Sequence, residues 1–173
     1  MKYLKSYLPL FFLISYVANT FSQNDFRASL SYDVKMKAVG PYETSETGEW
    51  NFLARFGYRH KNWEYQAFLE NFESISYGAA GVGVNYLFLI SDSQNRFNRW
   101  EIGVGTGIGV IVRKELGVQA PFYEFNGDFR YFFSKRWGAS LLGNLKYRSD
   151  LVERYDEDDP WRLSGFLGLI YRW

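Results

Sequence analysis

The 173-residue chain has no cysteine, one histidine and four prolines. Without thiols it has no disulfide framework, no thiolate metal site and no cysteine nucleophile. A surplus of either charge is missing too: 20 Lys and Arg stand against 19 Asp and Glu. A nucleic-acid partner is excluded on that ground, because phosphate backbones require a concentrated basic excess. No apolar run reaches the ~20 residues that a membrane-spanning helix needs, and the mean hydropathy is −0.30. Aromatic side chains, by contrast, make up 21% of the chain, with 16 Phe, 14 Tyr and 6 Trp beside 16 Gly.

The first residues read as an export signal. Lys2 and Lys5 precede the apolar stretch Leu8 to Ala18, broken only by Pro9 and Ser15, and Thr20 and Ser22 occupy the −3 and −1 positions of a cut before Gln23. The stretch is too short to anchor the chain as a helix. The expected division is a cleaved signal over 1–22 and one mature domain over 23–173. Removing Lys2 and Lys5 leaves 18 basic against 19 acidic residues.

From Phe26 to the end the hydrophobic period is two. Phe26, Ala28, Leu30, Tyr32, Val34, Met36 and Ala38 alternate with polar residues. The same alternation recurs over 50–60, 63–70, 78–90, 100–110, 123–133, 137–148 and 161–173. Each stretch is an amphipathic strand. Eight of them, joined by alternately short and longer connections, predict an all-β, eight-stranded antiparallel up-and-down barrel. The interior of an eight-stranded barrel is only just wide enough for side chains. Six tryptophans and their accompanying rings would overfill it, so the apolar face must point outward, and these strand lengths suit a bilayer. Trp50 and Trp161 fall near one set of strand ends. Tyr58, Trp63, Tyr65, Trp100, Tyr131, Trp137, Tyr171 and Trp173 fall near the other. Two interfacial aromatic girdles follow. The turns at 61–62, 91–99 and 134–136 are read as periplasmic, and the loops 39–48, 73–77, 112–120 and 149–160 as outer.

Over residues 26 to 173 the pattern resembles the small eight-stranded outer-membrane barrels of the OmpA/OmpX type. That resemblance implies the outer membrane of a diderm bacterium, contact with outer-membrane lipid and lipopolysaccharide, and handling by the outer-membrane assembly machinery. Trp173, ending an alternating strand, resembles the C-terminal signal which that machinery reads. No cofactor is expected.

The inward face carries the candidate polar network: Arg27, Asp33, Lys35, Lys37, Arg55, Arg59, Glu64, Glu70, Glu101, Glu124, Asp128, Arg130, Lys146, Arg148, Arg162 and Arg172. Charges in a narrow lumen must pair, hydrogen-bond or keep water. The expected result is an interlocked polar core that plugs the barrel; a thin path whose basic excess favours anions is the alternative. Gly103, Gly105, Gly107 and Gly109 lie on one face of a strand, with Gly81 and Gly83 beside them. They form an inward patch without side chains, with room for long arginines or a sharply curved wall. His60 is placed outward at a strand end, away from the outer loops, which speaks against a lipid-modifying enzyme. The loop Glu153 to Pro160 holds five acids, read as a solvated face with divalent-cation binding as the rival. The functional expectation is a non-enzymatic envelope protein that serves integrity, adhesion or partner binding through its outer loops. A narrow channel is second, a lipid A-modifying enzyme third, and a soluble lipocalin-like barrel is the structural rival.

Overall fold

A computed structural model describes residues 25–34, 50–72, 76–90, 99–113 and 118–173. The expected signal over 1–22, the loop 39–48, Lys35 and Lys37 lie outside the described residues. Eight strands run in chain order: β1 (Asp25–Asp33), β2 (Asn51–His60), β3 (Trp63–Phe72), β4 (Tyr77–Leu89), β5 (Arg99–Arg113), β6 (Val118–Phe132), β7 (Trp137–Arg148) and β8 (Trp161–Arg172). Each pairs antiparallel with its sequence neighbour, and β1 pairs with β8, closing the barrel. Closure leaves no open sheet edge along the wall.

The register fixes the shape. Arg27 pairs with Gly57, Gly57 with Gln66, Gln66 with Gly83, Gly83 with Gly107, Gly107 with Glu124, Glu124 with Lys146 and Lys146 with Arg162. The β1–β8 register, which sets Arg27 opposite Arg172, then returns the path to β1 ten positions beyond its start. For eight strands that stagger corresponds to a strand tilt of roughly 40°.

Burial alternates most cleanly in β3. In β3, Trp63, Tyr65, Ala67 and Leu69 are exposed while Glu64, Gln66, Phe68 and Glu70 are buried. The polarity is therefore inverted relative to a soluble barrel: Leu69, Ile108 and Leu163 are more than 60% exposed outside, whereas Glu101 and Glu124 are at most 1% exposed inside. No helix among the described residues is long and apolar enough to cross a membrane, which does not bear on a β-barrel.

Three features differ from the sequence reading. Residues 112, 113 and 118–120, read as part of a loop, belong to strands, because β5 runs on to Arg113 and β6 begins at Val118. The connection 149–160, read as a loop, contains a short helix α1 (Ser149–Tyr155), ended by Asp156 in the left-handed conformation (φ 53°) with a hydrogen bond from Glu157 N–H to Leu151 O. Leu151 turns inward and is buried, so an apolar residue within a polar stretch holds the helix on the barrel. The third difference is that the lumen is not wholly polar. Leu53, Phe68, Phe72, Tyr77, Ala79, Ile111, Phe122, Leu142 and Phe166 form a buried apolar cluster within it.

Candidate functional site

The strands position the site. The end of the barrel that holds Asp25 and Arg172 is the terminal end, and the opposite end, carrying α1, is the loop end. At the terminal end Glu101 of β5 is the hub. It accepts from Arg27 Nη1 at 2.6 Å and from Arg59 Nη1 at 3.0 Å, and pairs with Arg99 Nε at 2.9 Å. Arg27 also holds Asp25 at 2.6 Å and approaches Glu64 at 3.3 Å. Arg130 of β6 donates to both oxygens of Glu64, each at 2.7 Å, and reaches Asp128 at 2.6 Å. Beneath them Phe132, fully buried, lies under the guanidiniums of Arg172 (4.5 Å) and Arg27 (5.5 Å). Arg172 also donates to Lys135 O at 2.5 Å, which ties the rim to the β6–β7 turn.

Arg55 occupies mid-lumen. Its nearest counter-charge is Glu124 at 3.6 Å, and none of its guanidinium nitrogens makes a hydrogen bond to a described residue. It lies over the Phe68 ring at 5.9 Å. Beside it a cavity of ≈ 10 Å³ is bounded by Arg27, Ser29, Glu64, Gln66 and Arg130, room for about one water molecule. Gln66 donates to Asn85 at 3.2 Å.

Nearer the loop end Lys146 of β7 pairs with Glu70 of β3 and stands 3.6 Å from Glu124. Asn51 and Asn144 donate to Glu70 and Glu124, both at 2.9 Å. The ammonium sits 4.7 Å from the Phe122 ring centre. Above it Asp150 of α1 accepts from Arg148 at 2.5 Å and from Arg113 at 3.3 Å. Burial pushes the Asp150 carboxyl up, but hydrogen bonds and charges from Arg148 and Arg113 outweigh this and hold it below its usual value.

Of the residues singled out from sequence, Arg27, Asp33, Arg55, Arg59, Glu64, Glu70, Glu101, Glu124, Asp128, Arg130 and Lys146 are buried in the lumen, and Arg148 and Arg172 are half-buried at its two rims. Arg162 belongs to the loop end instead, pairing with Glu157 and donating to Asp159 O at 2.7 Å. Lys35 lies outside the described residues. Sequence reading missed Asp25, Arg99, Arg113 and Asp150, which complete the network. Asp25 precedes the first alternation, Arg99 and Arg113 sit in segments read as connections, and Asp150 belongs to the unforeseen helix.

The inward glycines of β4 and β5 are filled from across the barrel. A Cβ on Gly81 would lie 2.6 Å from the Phe68 ring, and one on Gly109 2.7 Å from the Phe122 ring. These rings, rather than arginines, occupy the bare patch, although Arg55 stacks on one of them.

Outside, the aromatics gather in two belts. At the terminal end Trp63 meets Tyr86 (5.1 Å), Trp100 meets Tyr131 (4.2 Å), Tyr171 meets both Trp137 (4.9 Å) and Trp173 (5.0 Å), and Tyr58 meets Phe26 (5.2 Å). Tyr65 is exposed there beside its cross-strand partner Tyr58. At the loop end Trp161 packs on Tyr123 and Tyr147, each at 5.4 Å, and Trp50 stacks on Phe52 at 5.5 Å. Ten residues separate Trp161 from Tyr171 on β8. At ~3.3 Å per residue and ~40° tilt the belts stand about 25 Å apart, the height of a transmembrane barrel's apolar band. His60 is exposed on the outward face of β2, next to the turn residues Lys61 and Asn62.

No protein-family model matches the chain, and no curated protein matches it. Several solved structures are similar to it. Neisserial surface protein A is 10% identical with a TM-score of 0.48, over 86% of this chain and 95% of that one. Ail, the attachment invasion locus protein of Yersinia pestis, is 11% identical with a TM-score of 0.38, over 87% and 96%. Ail in complex with the heparin analogue sucrose octasulfate gives 14% and 0.36, over 87% and 96%.

Proposed function

We propose that this protein is an integral outer-membrane barrel with a plugged lumen, acting without catalysis as an envelope and surface-binding protein through its loop end. The observation that carries this reading is the inverted polarity: ring belts about 25 Å apart on the outside, and inside an ion-pair network spanning opposite walls, as in the Arg27–Glu101 and Lys146–Glu70 pairs. Export by a cleaved signal, recognition of Trp173 by the assembly machinery and contact with lipopolysaccharide belong to the same reading.

The plug has two parts. The guanidinium–carboxylate plate over Phe132 closes the terminal end, and the Lys146 network with its surrounding rings closes the loop end. Among the described residues the plug holds nine bases and eight acids, with Arg99 and Arg113 added alongside Asp25 and Asp150 and with Arg162 paired to Glu157 at the rim, which gives an anion-selective path little support. Fractionation and planar-bilayer recording test the reading. The protein should require detergent for extraction, migrate differently on gels before and after boiling, and give negligible conductance. Solubility without detergent, or large stable single-channel steps, would overturn it.

A further inference from the structure

The terminal end of the barrel holds more positive charge than its plug requires. The plug is close to neutral, yet Lys61 on the β2–β3 turn and Lys135 and Arg136 on the β6–β7 turn are exposed beyond it. No described acid is added at that end. The segment 91–98, outside the described residues, contributes one acid and one base, Asp92 and Arg96. The surplus is unevenly spread. Lys61 lies on one side, whereas Lys135, Arg136 and the half-buried Arg172 of β8 share a flank on the other, four strands away round the barrel.

Hydrogen bonds hold that flank in shape. Ser134 Oγ accepts from the N–H groups of Arg136 and Trp137 at 3.2 and 2.8 Å, which fixes the turn. Arg172 is tied to it twice, its N–H donating to Arg136 O at 2.8 Å and its Nε to Lys135 O at 2.5 Å. The backbone thus sets Arg136 and Arg172 opposite each other, an arrangement of like charges that is unfavourable until an anion joins it. Among the described residues no carboxylate comes within ion-pair distance of either, and the acid of this rim, Asp25, is held by Arg27 at 2.6 Å.

The height of the flank selects the kind of anion. Arg136 Nη1 donates to Tyr171 Oη at 3.4 Å, and Tyr171 packs against Trp137 and Trp173, both exposed on the outer face. The guanidinium therefore stands on the lipid side of the wall, at the belt that marks headgroup level, and not over the mouth of the lumen. A phosphodiester matches the forked donors of a guanidinium, and the exposed rings of Phe133 and Trp137 beside it suit the start of an acyl chain. Net charge then decides the headgroup. With Arg136 and Arg172 unmet by any described carboxylate and Lys135 next to them, the flank favours a lipid whose phosphate charge is uncompensated over one whose own ammonium cancels it. In the membrane reading the loops are outer, so this end meets the periplasmic leaflet, away from lipopolysaccharide.

We propose that the β6–β7 turn and the end of β8 form a binding site for one anionic glycerophospholipid of the periplasmic leaflet, its phosphate at Arg136 within the positive field of Lys135 and Arg172. The site rests on the membrane reading given above. Native mass spectrometry of the full-length protein, delipidated in detergent and then exposed to phosphatidylglycerol or phosphatidylethanolamine with the same acyl chains, tests it. The expected result is one retained phosphatidylglycerol per barrel, with several-fold less phosphatidylethanolamine. Added salt during the incubation should weaken that preference in the unsubstituted protein, since the contact is electrostatic and exposed. K135Q/R136Q, which alters side chains outside the plug, should lose the preference, while K61Q, which removes a rim cation on the far side, should keep it. Soluble anionic muropeptides, the cell-wall alternative, should not displace the lipid. Equal retention of the two lipids, a preference indifferent to salt, an unchanged preference in a K135Q/R136Q barrel that still shifts on boiling, or displacement by muropeptides would overturn the proposal. Loss of the boiling shift and of the detergent requirement in the unsubstituted protein would instead contradict the membrane reading itself.

Discussion

Arg130 on β6 and Glu64 on β3 face each other across the lumen through two hydrogen bonds of 2.7 Å, with both side chains 3% exposed. Bidentate geometry is the strongest form of this contact, and neither partner has water to fall back on. R130M should therefore destabilise the barrel by about 3–5 kcal/mol, because it strands a buried carboxylate. The double variant E64L/R130M should recover only part of that loss, the part due to Glu64, because Asp128 still lacks its partner Arg130. Urea unfolding of the four proteins in lipid or detergent gives the coupling energy. A double variant as unstable as the sum of the singles would contradict the pairing.

The glycines divide into two classes that a stability scan should separate. A Cβ on Gly109 would come within 2.2 Å of Ala80 O, a backbone atom that cannot rotate away. G109A should cost about 1–3 kcal/mol, as overpacking does. Gly127, Gly143 and Gly165 are cross-strand neighbours on the outer face, and a Cβ on any of them meets nothing within 4 Å. G143A should stay within about 0.5 kcal/mol of the parent. Thermal unfolding of the two variants decides the matter.

Asp150 sets the acid response of the loop end. Its carboxyl is held below the ordinary 3.8 by Arg148 and Arg113 against the opposing effect of burial. A depressed acid contributes stability that is fully present above its unfolded value and is lost as pH falls through the folded value. α1 should thus stay docked throughout the neutral and mildly acidic range and release only below about pH 4. Protease sensitivity of the 149–160 segment, followed against pH, should show this. D150N should be sensitive already at pH 7 and lose the acid step.

Much of this arrangement was legible in the sequence because a period of two declares itself without tertiary information. The parity of Trp63 against Glu64, or of Gly103 against Val104, survives in the structure unchanged. The pairing of lumen charges was not legible. Arg27 and Glu101 are 74 residues apart, and only the stagger of the closed barrel brings β1 opposite β5. Phe68 and Phe122 stood in inward positions, but their role as fillers of the glycine patch required the opposite wall to be in place. α1 escaped because seven residues with one buried apolar side chain, Leu151, give too short a helical period to stand out in an acidic stretch.

The central claim is that the rings face lipid while the charges face one another. All six tryptophans lie on the outer face, Trp50, Trp63, Trp100, Trp137 and Trp173 exposed and Trp161 half-buried among the loop-end rings. Quenching of tryptophan emission by lipids brominated at defined acyl depths, with the protein reconstituted in vesicles, tests this directly. Most of the emission should be quenched, and bromines near the headgroup should quench more than those at mid-membrane, as two interfacial belts require. Emission insensitive to brominated lipid at every depth would mean that the rings are inside and the barrel inverted, and would contradict the account.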